Sequence, residues 1–231
     1  MRGWEDAPEG LRERVAEVCG EILNENATVA DLGCGFGILL EYLRERGFEC
    51  LGLEIDEEKV MEVRRKGFKC VRCDLNGNVP LKNSSVDCVV ATEVIEHLEN
   101  PWKFLREVKR VLKPGGIAVI TFPNFTDFVS RLKFLFKTEF SYFIRKVPPG
   151  GHIQILPYWL FEYMAERCGF KVSEVKPHRT WIDRLKEKTV KHGLFLIFLV
   201  PLFLILYSLI KAGGGETESL LPENYVFVLR K

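Results

Sequence analysis

Two short stretches of this chain carry residue types that could do chemistry at spacings that would let them act together. The first is Asp31-Leu-Gly33-Cys-Gly35-Phe-Gly37, an acid followed by three glycines at alternate positions. Glycines so placed let the backbone turn sharply and approach a ligand closely, and a helix starting just beyond would offer its positive end to an anionic or polar group. The spacing is G-x-G-x-G, whereas the dinucleotide fingerprint G-x-G-x-x-G would need a glycine where Ile38 stands. Two acids extend the pattern. Glu54 falls at the end of the second expected strand and could accept from a ribose diol, and Asp74 ends the third and could accept from an exocyclic amine. Either acid alone reads as an ordinary surface carboxylate at a strand end. The second stretch is Glu93-Val-Ile-Glu96-His97, whose acids and imidazole stand at i, i+3 and i+4 and would share one face of a helical turn. Two carboxylates and an imidazole suit a hard divalent cation such as Mg2+ or Mn2+ better than structural zinc, and without a metal His97 could act as a general base. The plainer alternative is a glutamate that only brackets a bound ligand.

These residues need elements to hold them. Leu11, Val15, Val18 and Ile22 lie on one face of an amphipathic helix over 8–23. Strands and helices then alternate: strands over 28–32, 50–55, 68–73, 86–91 and 117–122, and helices over 38–46 and 57–66 stopped by Gly47 and Gly67. Asn100 and Pro101 form a cap and first turn for a further helix with Trp102, Leu105, Val108 and Leu112 inward, broken by Lys113-Pro-Gly-Gly116. A helix over 158–168 and strands over 170–175 and 225–229 follow. Such alternation predicts right-handed crossovers and a mostly parallel sheet covered on both sides.

The five ordered motifs VADLGCGFG, GLEID, CDL, VDCVVATEVIEHL and LKPGGIAVITFPN resemble those of class I S-adenosylmethionine-dependent methyltransferases over roughly residues 28–122. Within that family the chain is similar to MetW-type proteins and to ubiquinone-pathway O-methyltransferases. The resemblance implies a doubly wound α/β fold, a Rossmann-like seven-stranded sheet whose last strand is antiparallel. It implies a single domain over 1–231; the residues themselves add a lid-like amphipathic insertion at 124–149 and an apolar, membrane-associating insertion at 179–222. On the cofactor, Asp31, Gly33, Cys34, Gly35 and Gly37 would cradle the methionine part, Glu54 with Ile55 the ribose, and Asp74 with Leu75 the adenine, with Glu93 beside them. E-x-x-E-H also resembles the metal motif of ubiquinone-pathway and small-RNA methyltransferases, where a further histidine lies past the fifth strand. His152 could play that part, giving Glu93, Glu96, His97 and His152 as a ligand set, or His97 and His152 as catalytic bases. The implied reaction is methylation of an oxygen on a small or lipid acceptor. Two alternatives stand beside it: a non-catalytic, cofactor-binding partner of methionine metabolism, and an RNA methyltransferase.

Bulk properties narrow this further. The 231 residues carry a net charge of +1, and with no dedicated RNA-binding module this argues against a nucleic-acid partner. That balance hides an asymmetry, for residues 1–120 hold 17 Lys/Arg against 22 Asp/Glu, and residues 121–231 hold 16 against 10. Seven scattered cysteines and a polar start predict a reducing cytosol and no signal peptide. Cys70 and Cys73 fall three apart in an expected strand and face opposite sides, so they read as buried thiols.

The basic half also contains an apolar run. Leu194–Ile210 passes seventeen residues without a charge, about 26 Å of helix. By the family topology the strands on either side are sheet neighbours, so one full membrane crossing would strand the last strand on the wrong side. Pro201 near the middle predicts a kink or break, hence a dip into one leaflet, with Lys186, Lys188, Lys191 and Lys211 at an anionic cytoplasmic face. A helix packed in a protein or dimer interface is the alternative. In 124–147, Phe125, Phe128, Val129, Leu132, Leu135 and Phe136 recur at helical spacing among Arg131, Lys133 and Lys137, as in an interfacial helix or a lid. The expected location is the cytoplasmic face of the membrane, with no oligomeric state implied.

Overall fold

The expected order of strands and helices is realised in a computed structural model, which describes residues 8, 10–138, 151–180, 193–212 and 222–231. The chain runs α1 (Leu11–Ile22), β1 (Thr28–Leu32), α2 (Ile38–Glu45), β2 (Glu49–Glu54), α3 (Glu57–Arg65), β3 (Lys69–Arg72) and β4 (Val86–Thr92). It continues with α4 (Pro101–Val111), β5 (Leu112–Pro123), α5 (Phe128–Lys137), α6 (Tyr158–Arg167), β6 (Lys171–Thr180), α7 (Gly193–Ala212) and β7 (Pro222–Arg230). Local chemistry explains the boundaries. Asp56 caps α3 by accepting from the Glu58 and Lys59 amides at 2.8 and 3.4 Å, and Asn100 caps α4 by accepting from the Lys103 amide at 2.9 Å.

Among the described residues, seven strands form one sheet in the order β3-β2-β1-β4-β5-β7-β6. Strands β1 to β5 pair in parallel, and β7 lies antiparallel between β5 and β6. Alternate residues of each strand feed two cores. Tyr225, Phe227 and Leu229 of β7 join Phe104, Phe122 and Phe161 on one face. Val226 and Val228 join Leu11, Val15, Leu39 and Leu43 on the other. Phe227 stacks on Phe122 with ring centres 5.3 Å apart, and lies 4.5 Å from Phe161.

Four expectations are corrected. The inward face of α4 is Phe104, Leu105, Val108 and Val111, with Trp102 only half-buried, and Leu112 already belongs to β5. Lys113-Pro-Gly-Gly116 therefore makes an irregularity inside β5, whose register against β4 jumps from Val86↔Leu112 to Cys88↔Ile117. Strand β6 runs on to Thr180 through Pro177, which an edge strand tolerates because its missing N–H can face away from the ladder. Finally, Pro201 does not split the apolar run: α7 is continuous over twenty residues, since a proline removes one amide donor and leaves the rest of the ladder in place.

Thr180 pairs with Pro222, so the chain leaves the sheet and returns to it at adjacent positions. Both ends of the segment containing α7 thus start from one point, beside the end of β5, where Pro123 pairs with Asn224. Among the described residues, no helix is long and apolar enough to cross a membrane. Lys186, Lys188 and Lys191 lie outside the described residues.

Candidate active site

Parallel pairing brings the ends of β1, β2, β4 and β5 to one edge of the sheet, and the glycine turn crosses it between β1 and α2. Gly33, Gly35 and Gly37 all take left-handed φ, at 80°, 54° and 78°. Their reasons differ. A Cβ on Gly33 would meet Val94 Cγ2 at 2.6 Å, so this glycine permits a close crossing of the chain after β4. Nothing lies within 4 Å of a Cβ on Gly35, so that position faces open space. Gly37 is the N-cap of α2.

The acids line this space. Glu54 is buried, and its carboxylate accepts from the backbone amides of Gly35 (2.9 Å), Ile55 (2.8 Å) and Asp56 (3.1 Å), which orient it toward the turn. Asp31 is also buried; burial lifts its pKa to about 7, with Arg12 pulling down and Glu54 pushing up. Ile55 leaves its side chain 56% exposed beside Glu54. Asp74 is exposed, one oxygen accepting from the Asn76 amide at 2.9 Å, while the Leu75 side chain is buried. Cys34 turns away. Its sulfur lies 3.8 Å from Cys70 Sγ in a small core with Leu40, Val60 and Val63, and burial pushes its pKa up, so only its backbone faces the turn. Cys70 and Cys73 are free, buried thiols, as their spacing implied.

After β4 the structure departs from the expected helical turn. Only Ile95–His97 forms a 3-10 turn, and Glu93 precedes it at φ 56°, a left-handed conformation that is strained for glutamate. Its carboxylate therefore does not join Glu96 and His97. It accepts from Thr121 Oγ1 at 2.9 Å and from Asn224 Nδ2 at 3.0 Å. Burial raises its pKa to about 7 against the pull of those two hydrogen bonds.

Glu96, His97 and His152 do come together, their ligand-capable atoms lying within 4.8 Å of one another. Glu96 Oε1 stands 3.9 Å from Nε2 of each histidine, and the two rings are 4.8 Å apart. The amides of Ile153 and Gln154 both donate to the Glu96 carbonyl at 3.0 Å, which docks the 151–156 segment and sets His152 in place. Phe125 meets His152 edge-on at 5.7 Å. Glu96 is fully buried, and neither carboxylate oxygen accepts a hydrogen bond. Burial and then the Glu93 charge push its pKa well above the ordinary range. A buried carboxylate without donors is costly as an anion, so it must be neutralised by a proton or by a cation.

Sequence reasoning missed Thr121, Asn124 and Asn224. Thr121 pairs with Thr92 at the end of β5. Asn124 donates to the Pro222 carbonyl at 2.8 Å, fastening the root of α5 to the start of β7. A polar residue at the end of an apolar strand is the only local signal these positions carry.

Among known proteins, residues 30–120 match the family described as a methyltransferase domain. Over that stretch the chain resembles a methyltransferase domain. Over 125 residues it is 34% identical to a protein of Mycolicibacterium smegmatis named "Probable S-adenosylmethionine-dependent methyltransferase", an overlap of 52% of this chain and 46% of that one. Over 139 residues it is 30% identical to a ubiquinone biosynthesis O-methyltransferase of Caulobacter vibrioides, covering 55% and 52%. The chain spans about half the length of these curated relatives. The solved structure of an S-adenosylmethionine-dependent methyltransferase from Archaeoglobus fulgidus has a TM-score of 0.62 at 19% identity over 95% of this chain and 94% of that one, a likeness of fold.

A methyltransferase domain of this fold implies S-adenosylmethionine, and the residues present fit it. The open space at Gly35 would admit it, buried Asp31 favours a cationic partner, and Glu54 retains an acceptor position for a ribose hydroxyl. The Glu96, His97 and His152 cluster fits a divalent cation by its donor set and by the carboxylate that lacks a hydrogen bond.

Proposed function

We propose that the chain is an S-adenosylmethionine-dependent methyltransferase that methylates a hydroxyl of a lipophilic acceptor, quinol-like or lipid-linked, at the cytoplasmic face of a membrane. The observation that carries this reading is the convergence of Glu96, His97 and His152 next to the glycine turn, bordered by Phe125. S-adenosylmethionine, when bound, supplies an electrophilic methyl group on a sulfonium. Asp31 and the backbone of the glycine turn hold its methionine part, Glu54 and Ile55 its ribose, and Asp74 with Leu75 its adenine.

Methyl transfer needs alignment and a hydroxyl relieved of its proton. An imidazole of the pair His97 and His152 takes that proton, and the Glu96 carboxylate beside both rings balances the imidazolium that results. Were Mg2+ or Mn2+ bound, Glu96, His97 and His152 would hold it and it would lower the hydroxyl's pKa as a Lewis acid. Glu93, held by Thr121 and Asn224, serves to position the turn that carries Glu96 and His97. The likeness to an O-methylating relative and the apolar α7 support the choice of oxygen and of a lipophilic acceptor.

The test is incubation of the purified protein with methyl-labelled S-adenosylmethionine and total lipid extract, with and without excess EDTA. Label should enter the lipid fraction, and His97→Ala should lower the rate by roughly 10²-fold or more with cofactor affinity retained. Loss of turnover in EDTA would favour the metal, and unchanged turnover the imidazole base. Cofactor binding with no transfer to any lipid would sink the reading in favour of a non-catalytic partner. Label entering RNA would favour the RNA alternative.

A further inference from the structure

Helices α5 and α7 come from different parts of the chain yet meet on the site side of the sheet. Phe203 of α7 is buried, and its ring sits edge-on to Phe128 in the first turn of α5, centres 5.1 Å apart. Beyond that contact both helices present large apolar side chains to solvent. Leu135 and Phe136 of α5 are 71% and 78% exposed, and Leu202, Leu204, Ile205 and Leu209 of α7 lie between 42% and 63%. The charges on these helices have one sign. Arg131, Lys133 and Lys137 on α5 and Lys211 on α7 are all exposed, and neither helix contains an Asp or Glu.

We infer that α5 and α7 together form a docking platform for an anionic lipid bilayer, with the acceptor reaching the site from that platform past Phe128 and Phe125. This rests on the membrane-surface reading above and deepens it by naming the face, the lipid charge and the direction of entry. Apolar side chains flanked only by cations are what an interfacial helix needs to seat among acidic headgroups. A second copy of the chain is a poor occupant, because a two-fold interface would set the same cations against each other. A full crossing is a poor fit too, for Thr180 and Pro222 hold both ends of the insertion at one point on the sheet. Ring contacts run in that direction, Phe203 on Phe128 in the first turn of α5 and, three residues earlier, Phe125 on His152, which itself lies against His97.

The test is flotation of the full chain with vesicles of phosphatidylglycerol and phosphatidylcholine, compared with phosphatidylcholine alone. Two exposed pairs are altered separately, Leu135→Glu with Phe136→Glu on α5, and Leu204→Glu with Ile205→Glu on α7. Circular dichroism and calorimetric titration of S-adenosylmethionine verify that each variant folds. The wild type should float with the acidic vesicles, and each pair should lower the bound fraction at least about tenfold. Lys133→Gln with Lys137→Gln should weaken partitioning roughly thirtyfold on acidic vesicles and leave cofactor affinity unchanged. If the α5 variants float like the wild type, the joint platform is wrong. If the wild type binds both vesicle types equally, the charge argument is wrong. A dimer in sedimentation that both pairs dissociate, without flotation of the wild type, would assign the face to a second copy and overturn the inference. A protein that floats as expected but methylates no lipid leaves the platform standing and sinks the functional reading instead.

Discussion

Asp31 shows how a single buried side chain can make cofactor affinity depend on pH. Burial holds its pKa at about 7, so near neutrality an empty site is part protonated. A cationic sulfonium and ammonium nearby favour the carboxylate, so binding lowers that pKa and expels a proton below pH 7. Affinity should therefore fall as pH drops from 8 to 6, by up to about tenfold per unit below the titration. Calorimetry in two buffers of different ionisation enthalpy should register proton release at pH 6.5, and Asp31→Asn should abolish both the release and the slope. Gly33 gives a second test at this scale. Gly33→Ala adds a Cβ that would overlap Val94 Cγ2 at 2.6 Å, at a φ of 80° that L-residues resist. We expect a loss of about 1–3 kcal/mol in urea unfolding.

Elements decide which of these side chains can work together. Spacing alone put Glu93, Glu96 and His97 on one helical face, but the chain enters the turn through a left-handed Glu93 and sends that carboxylate toward β5 and β7. Asn224 is then a strut between β7 and the turn. Asn224→Leu removes a donor from a buried carboxylate and should cost about 1–3 kcal/mol of stability in denaturant melts. Asn224→Gln should recover only part of that loss, since the longer amide must bend to reach. The ends of β6 and β7 escaped sequence reading for a related reason. Lys176-Pro-His-Arg-Thr180 looks too polar for a strand, yet an edge strand beside the well-buried β7 can carry polar residues along its outer side.

At the scale of the whole molecule, β7 is the piece that joins the site, the core and the insertion. Phe227 stacks on Phe122 and packs at a tilt against Phe161 in the larger core, and Phe227→Ala should cost about 3–5 kcal/mol, read from the urea midpoint at constant slope. The insertion behaves differently in the sheet's logic. Because Thr180 faces Pro222 in the ladder, replacing 181–221 by a four-residue glycine-rich turn should close β6 and β7 as a hairpin. Such a chain should keep its affinity for S-adenosylmethionine in calorimetry while losing vesicle binding. A collapse of cofactor binding in the shortened chain would mean that α7 supports the site from above rather than only adjoining it.

Strand and helix order, the glycine turn and the acids at the ends of β2 and β3 were all legible in the residues, because each depends on neighbours a few positions away. Periodicity, caps and glycine spacing are local properties. Tertiary structure alone decided that Glu93 would leave Glu96, His97 and His152 for Thr121 and Asn224. The same holds for Phe203, whose place on Phe128 ties the apolar helix to the site. Those pairings join residues tens of positions apart, and only the closing of one sheet, with β7 slotted between β5 and β6, brings them within reach.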